Sequence, residues 1–374
     1  MAKAKRIYIS VINDLATDQR VHKMCASLES EGYEVNLVGR KLKDSLPLDR
    51  SYHTYRMKLL FNKGPLFFAE YNFRLFWFLV FKKMDVLHSN DLDTLLANFL
   101  VSKIKRKPII YDSHEYYTGV PEIQNRKFVK KVWTSIEKWI FPKLKYTFTV
   151  NDSIADLFEK DYKKRPLVIR NIPNQQSELS TVTREELNLP KDKKILILQG
   201  AGINIDRGAE ELLEAMTFLD NYILLIVGSG DVIEDLNKRA QKEDLKDKVI
   251  FKGKLPYHKM MQYTRVADAG LTLDKDTNIN YKFSLPNKVF DYIRAQTPVI
   301  SSKIVEIEKV INKYQVGTII SSHEPLVIAE TIDKYLNSVD QIDLKNKLRI
   351  ASEQLSWENE VIKMLETYKS LPEN

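Results

Sequence analysis

The stretch SLPNKVFDYI, residues 284–293, groups side chains that could bind a nucleotide at the start of a predicted helix. Pro286 suits the first helical turn, where its missing N–H costs nothing. The N–H groups of Asn287 and Lys288 then lie at the positive end of the helix dipole, and the lysine adds a full charge. Asp291, three residues after Lys288, shares their face. Phosphate and ribose would both find partners here. The alternative is a capped helix with a surface Lys288–Asp291 pair, which leaves the run LPNK unexplained.

Two glycine-rich turns follow predicted strands in the same half of the chain. LQGAGINIDRG places Gly200 and Gly202 before Arg207, and LLIVGSGD contains Gly228 and Gly230. Glycine lets a backbone approach a phosphate, a helix N-terminus favours an anion, and arginine offers a fork of donors. A tight turn without a ligand explains LLIVGSGD equally well. Neither stretch fits the P-loop pattern or the nicotinamide-binding G-x-G-x-x-G of a first βαβ unit, which excludes the former and disfavours the latter.

Two polar clusters follow successive predicted strands of the first half of the chain. They comprise His88, Asn90, Asp91 and Asp93 in HSNDLD, and Asp112, Ser113, His114 and Glu115 in YDSHE. A histidine beside carboxylates can bind sugar hydroxyls or move a proton, although a single histidine is more often structural. No H-x-x-x-H spacing occurs, so the clusters do not predict a zinc site.

Strand-like and helical patterns alternate along the whole chain, which predicts parallel sheets covered by helices on both faces. The fold class is therefore α/β, with two doubly wound domains and a cleft between them. Ligands of such sheets bind beyond the carboxyl ends of the strands. Residues 171–193 read as a linker, and SEQLSWENEVIKMLETYKSL near the C-terminus reads as one amphipathic helix. The predicted domains are residues 1–175, 190–355 and, for the last helix, 356–374.

Composition indicates a folded protein with unevenly distributed charge. The 374 residues are 44% hydrophobic and 29% charged, with a net charge of +8. Lys and Arg outnumber Asp and Glu by 31 to 19 in residues 1–170, and are outnumbered by 27 to 31 in the rest. The N-terminal residues show no signal-peptide pattern. The single cysteine, Cys25, lies at helical spacing with apolar residues, so we expect a buried thiol and a cytoplasmic protein.

Residues 64–83, GPLFFAEYNFRLFWFLVFKK, are dense in aromatic side chains. The stretch is too short and too charged to span a bilayer, so a buried helix of the first domain is one interpretation. The other is that part of it, together with nearby lysines, lies on an anionic membrane surface at the inner face of the plasma membrane. The lysines and arginine concerned are Lys82, Lys83, Lys103, Lys105, Arg106, Lys107, Lys130 and Lys131.

Motifs over nearly the whole chain resemble the GT-B-fold, retaining glycosyltransferases of the family 4 type. They include HSNDLDTL, YDSHE, RGAEELLEAM, IVGSGD, VIFKGKLP and, most specifically, SLPNKVFDYIRAQTPVISS. The resemblance implies that the second domain binds a nucleotide-sugar donor and the first binds the acceptor. It also implies that the last helix crosses back to the first domain.

The resemblance assigns roles residue by residue. Catalytic roles fall to Arg207 and Lys288 at the donor phosphates and to His114 at the transferred sugar. The donor would be bound by Gly202, Gly228, Gly253, Lys254, Leu255, Ser284, Asn287 and Asp291, of which residues 253–255 lie where the base is usually held. The acceptor, or the loop after the first strand, would involve Asp18, Arg20, Asp91 and Glu115.

Three positions depart from the family pattern. Phe283 stands where the first of two acids is usual, Asp291 replaces the usual glutamate, and Ala201 replaces an arginine. Asn278, Asn280 or Ser284 would have to substitute for the missing acid.

The expected activity is a retaining, metal-independent transfer of a hexose-type sugar to a saccharide or polyprenyl-linked saccharide, in cell-surface polysaccharide synthesis. Leaving-group stabilisation carries the catalysis, and no cofactor is expected. The D-x-D pairs at Asp274 and Asp276 and at Asp91 and Asp93 are interpreted as solvated loops rather than metal ligands. The alternatives are a nucleotide-sugar epimerase of GT-B fold, a non-catalytic nucleotide-sugar-binding subunit and, remotely, a DNA-binding protein.

Overall fold

The computed structural model describes residues 4–16, 18–174 and 182–372. Contacts between residues divide the chain into two compact units. Unit 1 extends to Asn171 and takes up the residues from Glu360 onward, and unit 2 comprises Ile172–Asn359. Part of the predicted linker, residues 175–181, lies outside the described residues.

Unit 1 contains a seven-stranded sheet in which every described strand pair is parallel. The strand order is β3-β2-β1-β4-β5-β6-β7. Its strands are β1 Arg6–Asp14, β2 Glu34–Lys41, β3 His53–Lys58, β4 Val86–Asn90, β5 Ile109–Ser113, β6 Tyr146–Thr149 and β7 Leu167–Val168. Its first six helices are α1 Gln19–Ser30, α2 Gly64–Val80, α3 Leu92–Lys105, α4 Pro121–Gln124, α5 Lys127–Ile140 and α6 Asp152–Tyr162.

Unit 2 contains a six-stranded parallel sheet with the order β10-β9-β8-β11-β12-β13. Its strands are β8 Lys194–Gly200, β9 Tyr222–Gly228, β10 Val249–Gly253, β11 Ala269–Thr272, β12 Val299–Ser301 and β13 Gly317–Ile319. Its helices are α7 Ala209–Ala215, α8 Ile233–Ala240, α9 Tyr257–Val266, α10 Ile279–Lys282, α11 Asn287–Arg294, α12 Val305–Tyr314, α13 Pro325–Ser338 and α14 Gln341–Gln354. The last helix, α15 Trp357–Lys369, continues into the residues grouped with unit 1.

Both sheets share one topology, and the predicted doubly wound α/β class is confirmed. In each sheet the strand order reverses beside the first strand, between β1 and β4 and between β8 and β11. The strands are almost wholly buried because helices cover both faces, which is why they read as continuous apolar runs. The crevice at the reversal is where sheets of this kind bind ligands, so the turns after these four strands position any site.

The prediction of one helix for the C-terminal stretch is wrong. α14 ends at Gln354 and α15 begins at Trp357. Two side chains explain the break: the Ser356 hydroxyl accepts from the N–H of Asn359, and the Asn359 amide donates to the carbonyls of Glu353 and Gln354. One helix is thereby ended and the next capped at the same point.

The residues of α15 that belong to unit 1 are anchored by buried polar contacts. The Tyr368 hydroxyl lies 2.5 Å from Nδ1 of His88, and both side chains are fully buried. The Glu360 carboxylate accepts from the N–H of Arg170 at 3.0 Å. Burial lowers the pKa of His88 to about 4, so this ring is neutral at physiological pH.

Two further observations concern single residues and whole helices of the described chain. Cys25 is fully buried in α1, as predicted, and burial raises the pKa of its thiol. Within the described ranges, no helix combines the length and apolar character needed to cross a bilayer.

Replacing Gly228 should destabilise unit 2 much more than replacing Gly253. Both have positive φ, +149° and +60°, so alanine is strained at either position. An alanine Cβ at position 228 would also lie 1.8 Å from the Gly200 carbonyl oxygen, whereas one at position 253 meets nothing within 4 Å. We expect Gly228→Ala to lower the midpoint of thermal unfolding by more than ~5 °C and Gly253→Ala by about 2–4 °C. Equal midpoints in calorimetry would contradict the close approach of the two turns.

Candidate functional site

The start of α11 lies at the carboxyl edge of the unit 2 sheet. Pro286 is the residue before the helix rather than in its first turn, with φ −69° and ψ 144°, and Asn287 is the first helical residue. Asn287 is exposed, Lys288 is half-buried and Asp291 is buried, so the three residues predicted to share a face reach different depths. The helix therefore exposes the Asn287 amide, holds the Lys288 side chain at an intermediate depth and directs its carboxylate into the unit.

The Lys288 ammonium lies beside the end of β8. A Cβ built on Gly200 would lie 3.7 Å from Cε and 3.8 Å from Nζ of this lysine. Among the described residues, Nζ makes no hydrogen bond or ion pair, and the alternative Lys288–Asp291 pair does not form. Burial lowers the pKa of Lys288, and the Asp274 carboxylate opposes that shift. A cation so placed, at a helix N-terminus, favours an anionic ligand.

Arg207 is held next to this lysine by two contacts. Its Nη1 donates to Oδ2 of Asp274 at 2.6 Å, and its guanidinium stacks 4.1 Å from the ring centre of Tyr281. Asp274 is fully buried two residues after β11, so its interpretation as a solvated loop residue is wrong. Asp276, in contrast, is exposed and pairs with Lys282.

Glycines at these turns permit backbone contacts that no other residue allows. A Cβ on Gly208 would lie 2.2 Å from the Leu273 carbonyl oxygen, and one on Gly230 would lie 1.9 Å from that of Ile203. Gly202, predicted to bind the donor, is exposed, and a Cβ there would approach only the Asn204 amide, at 3.9 Å. The turn after β8 is thus pressed against the ends of β9 and β11, with Gly202 at its open surface.

Asp291 is anchored by neutral donors from two residues, the buried Gln199 and the half-exposed Tyr257. The Tyr257 hydroxyl donates to Oδ1 at 2.6 Å, and the Gln199 amide lies 3.4 Å from Oδ2. Burial, and then the Asp291 charge, raise the pKa of Tyr257. Tyr257 lies two residues after the predicted base-binding segment, in which Gly253 and Lys254 are exposed and Leu255 packs on the core. A ribose diol at Asp291 would share or displace the tyrosine hydroxyl.

The segment before α11 contains one unsatisfied polar group. The Ser284 hydroxyl is buried and has no hydrogen-bond partner in the described chain. Asn278, one of three residues expected to replace the missing acid, instead caps α10 by accepting from the N–H groups of Asn280 and Tyr281. Ser284 is therefore better placed than Asn278 to bind a ligand next to Phe283.

The polar clusters of unit 1 form one charge network. The Arg20 guanidinium makes two-pronged contacts of 2.9–3.1 Å with the Asp112 carboxylate, and His114 lies 3.3 Å from Asp112 and 3.1 Å from Asp91. The two carboxylates outweigh burial and raise the pKa of His114 to about 10. The ring is therefore a cation at neutral pH, enclosed between two anions.

Several sequence predictions for unit 1 need correction. Arg20 lies within α1, not in the preceding loop, and is only 5% exposed. Asp18 is the cap of α1 and accepts from the N–H of Val21. Asp91 and Asp93 are not the residues of a solvated loop: the partly exposed Asp91 accepts from the N–H of His114 at 2.8 Å, and burial raises the pKa of the enclosed Asp93. Glu115 is exposed, as an acceptor-binding residue would be.

The partner of Arg207 is the functional residue that the sequence interpretation missed. Tyr281, Gln199 and Tyr257 carry no motif of their own, and the D-x-D motif that contains Asp274 was interpreted as a solvated loop. A usable signal existed for Asp274, since it follows the fourth strand of its sheet, beside the turn that carries Arg207. Among the described residues, no group of three or more His, Cys, Asp or Glu side chains could hold a metal ion.

Comparisons with known proteins agree with the fold described above. The family model for glycosyl transferases group 1 matches residues 180–372, and that for glycosyltransferase family 4 matches residues 18–174. The chain belongs to the family 4-type glycosyltransferases of GT-B fold, and it is a glycosyltransferase. A search of the curated proteins finds no match.

Solved structures with the same fold cover nearly the whole chain. Sucrose-phosphate synthase from Thermosynechococcus elongatus has a TM-score of 0.78 at 18% identity, over 98% of both chains. A glycosyltransferase from Rickettsia africae has a TM-score of 0.75 at 16% identity, again over 98% of both chains. HepE from Anabaena, in complex with UDP-glucose, has a TM-score of 0.72 at 13% identity, over 98% of this chain and 100% of that chain.

The charge of His114 should make a pH-dependent contribution to stability. Its pKa is about 10 in the folded chain, above the ~6.5 of an unfolded one. The stabilisation is complete below about pH 6.5 and is lost as the pH rises through about 10. The difference in unfolding free energy between wild type and His114→Gln should therefore shrink from pH 6 to pH 10, as measured by urea unfolding. A ring that titrates near pH 6.5 by NMR would contradict this network.

Proposed function

We propose that the protein transfers a hexose-type sugar, with retention, from a nucleoside-diphosphate donor bound by unit 2. The observation that carries this proposal is the Lys288 ammonium, which has no anionic partner among the described residues and lies beside Arg207 at the N-terminus of α11. A diphosphate supplies the missing negative charge. HepE, which shares the fold, binds UDP-glucose, and this supports a nucleotide sugar as the donor.

Leaving-group stabilisation is the chemistry that these groups perform. The bond between the anomeric carbon and the phosphate oxygen breaks, and its electron pair moves onto the nucleoside diphosphate. The acceptor oxygen forms the new bond on the same face, and its proton passes to the departing phosphate. Lys288, Arg207 and the first N–H groups of α11 stabilise the charge that develops, without metal or cofactor.

Asp274 acts as a positioning residue for Arg207. Its buried carboxylate fixes Nη1, while Tyr281 holds the guanidinium plane from one side. A single carboxylate cannot neutralise both Arg207 and Lys288, so a net positive charge remains for the donor. The Nε of Arg207 is buried and has no partner in the described chain, so it is a further hydrogen-bond donor for the ligand.

The state of His114 argues against a general base at that position. An imidazolium with a pKa of about 10 has no lone pair to accept a proton near neutral pH. Both ring nitrogens of His114 face carboxylates, but Nε2 makes no hydrogen bond in the described part of the chain and can donate to a sugar hydroxyl. Glu115 offers an exposed carboxylate for a saccharide or lipid-linked saccharide acceptor. We place the reaction in cell-surface polysaccharide synthesis and in the cytoplasm. The buried, unpaired Cys25 fits that compartment, because thiols stay reduced there.

The donor can be identified by calorimetric titration with UDP-, GDP-, ADP- and TDP-sugars, followed by product analysis with and without saccharide acceptors. Binding together with acceptor-dependent release of the nucleoside diphosphate supports the proposal. Conversion of the donor alone into an epimer would instead identify an epimerase. Binding without any turnover would identify a nucleotide-sugar-binding subunit.

Lys288→Ala should reduce kcat by about 10²–10³-fold, because a preorganised charge at the leaving group is removed. The affinity for the free nucleoside diphosphate should fall as well. Lys282→Ala is the matched control, since this lysine is exposed and pairs with Asp276 at 3.4 Å. Steady-state kinetics that place the two variants within a few-fold of each other would rule out the phosphate role of Lys288.

EDTA should leave turnover unchanged, since Lys288, Arg207 and the α11 N-terminus supply the positive charge that a divalent cation would otherwise bring. The measurement is the initial rate after dialysis against EDTA, with and without added Mg²⁺ or Mn²⁺. Loss of activity on chelation and its return with metal would overturn the metal-independent mechanism.

A further inference from the structure

Three helices of unit 1 carry exposed apolar side chains on one connected surface. Phe68 of α2 packs edge-on against Trp133 of α5 at 5.3 Å, and Phe99 of α3 packs against Trp139 of α5 at 5.5 Å. These contacts make α2, α3 and α5 neighbours. Their exposed large apolar residues, with the one that ends α2, are Leu66, Phe73, Trp77, Phe81, Leu100, Ile104, Phe128, Val132 and Trp139. We call this set the apolar surface.

The side chains of the apolar surface are more exposed than those of a buried helix would be. In α2, Phe67, Tyr71, Leu75 and Leu79 already form the stripe that packs on unit 1. Phe81 and Phe128 nevertheless remain 79% and 80% exposed. The interpretation of residues 64–83 as a buried helix therefore holds for one face only, and the other face needs a partner outside the described chain.

A basic cavity of about 420 Å³ lies at one end of the apolar surface. Its described lining residues include five cations and no carboxylate: Lys103, Arg106, Lys107, Lys143 and Lys145. Among the described residues, only Lys107 of these five has an anionic partner, Asp85 at 3.8 Å. The lining also contains the Tyr146 hydroxyl, which is buried and has no hydrogen-bond partner in the described part of the chain.

The cavity and the apolar surface are continuous. The ammonium of Lys143, which lines the cavity, lies 4.8 Å from the ring of Trp139 in the apolar surface, and Lys103, another lining residue, directly precedes Ile104 of that surface. The cavity precedes β5 and β6, so it lies at the amino edge of the sheet, away from Asp91 and His114 at the carboxyl edge. Lysines in the last turn of α3 complement its dipole, but that does not account for Lys143 and Lys145, which precede β6.

We propose that this face of unit 1 docks on an anionic phospholipid bilayer, with a headgroup phosphate in the basic cavity. Aromatic side chains interleaved with lysines are the composition that binds the boundary between headgroups and acyl chains. The five cations and the free Tyr146 hydroxyl suit a phosphate, and the excess positive charge of residues 1–170 suits an anionic leaflet.

Charge selects the bilayer over a second copy of this chain. Pairing two such faces would bring cations from both copies together, and like charges in an interface oppose association. A bilayer with anionic lipid neutralises those cations and buries the apolar surface in the same event. The proposal does not depend on the donor site, because none of these residues belongs to it.

The test is flotation of the full chain with vesicles of phosphatidylcholine alone or mixed with phosphatidylglycerol, at low and high NaCl. We expect binding to the mixed vesicles that weakens with salt. The variant Arg106→Glu/Lys143→Glu/Lys145→Glu should weaken binding by on the order of 100-fold or more. The matched control Lys242→Glu/Lys246→Glu/Lys345→Glu makes the same charge change at exposed positions of unit 2 and should bind like wild type.

The apolar contribution is tested separately. Phe81→Ser/Ile104→Ser/Phe128→Ser should lose the binding that persists at high salt, whereas Phe218→Ser/Leu326→Ser/Ile342→Ser, at exposed positions of unit 2, should not. Calorimetry with inorganic phosphate distinguishes a free anion from a lipid. Phosphate binding without vesicle binding would overturn bilayer docking. So would a dimer in sedimentation velocity that does not bind vesicles and that Phe81→Ser/Ile104→Ser/Phe128→Ser converts to a monomer. Equal vesicle binding by a cavity variant and its control would overturn it too.

Discussion

Close backbone packing at the carboxyl edge of the unit 2 sheet determines where the charged groups of the donor site can lie. Gly228 abuts the Gly200 carbonyl, and Gly208 abuts the Leu273 carbonyl, with no space for a side chain at either contact. Because the turn after β8 is pressed against β11 in this way, Arg207 lies over the residue that leaves β11, Asp274. The salt bridge is thus a consequence of glycine at position 208 as much as of charge.

The balance of charge at this edge is left incomplete. Without Arg207, the Asp274 carboxylate would be buried and unpaired, which would lower the stability of the folded chain. The Arg207–Asp274 pair is therefore retained without a ligand. Lys288 forms no ion pair among the described residues, and Asp274, whose charge favours the ammonium, is already paired with Arg207. Burial lowers the pKa of Lys288 because the ammonium is disfavoured there. Lys288 therefore does not stabilise the folded chain in this position. A bound ligand that supplies the anion explains why the lysine lies there.

Unit 1 has the same strand order but neutralises its edge internally. Arg20 is matched by Asp112, and His114 lies between Asp112 and Asp91, so each cation has an anion within the network. The two units therefore show that topology places polar groups at an edge without deciding their chemistry. A phosphate fits unit 2, where positive charge is in excess. A neutral, hydroxyl-rich molecule fits unit 1, where the donors and acceptors of a balanced network can bind without a net charge.

The parts predictable from sequence were those with local signals. Apolar runs marked the parallel strands, and the LPNK turn marked Lys288, because strand burial and helix starts depend on neighbouring residues. The partners of Arg207, Arg20 and Asp291 are 67, 92 and 34 positions away, and no spacing rule reaches so far. Strand order does predict contacts over such separations in sequence. In a sheet of order 3-2-1-4-5-6 the turns after the first and fourth strands are neighbours, which joins residues 200–208 to Asp274. Had that order been combined with the D-x-D motif, Asp274 would have been assigned to the site and not to a solvated loop.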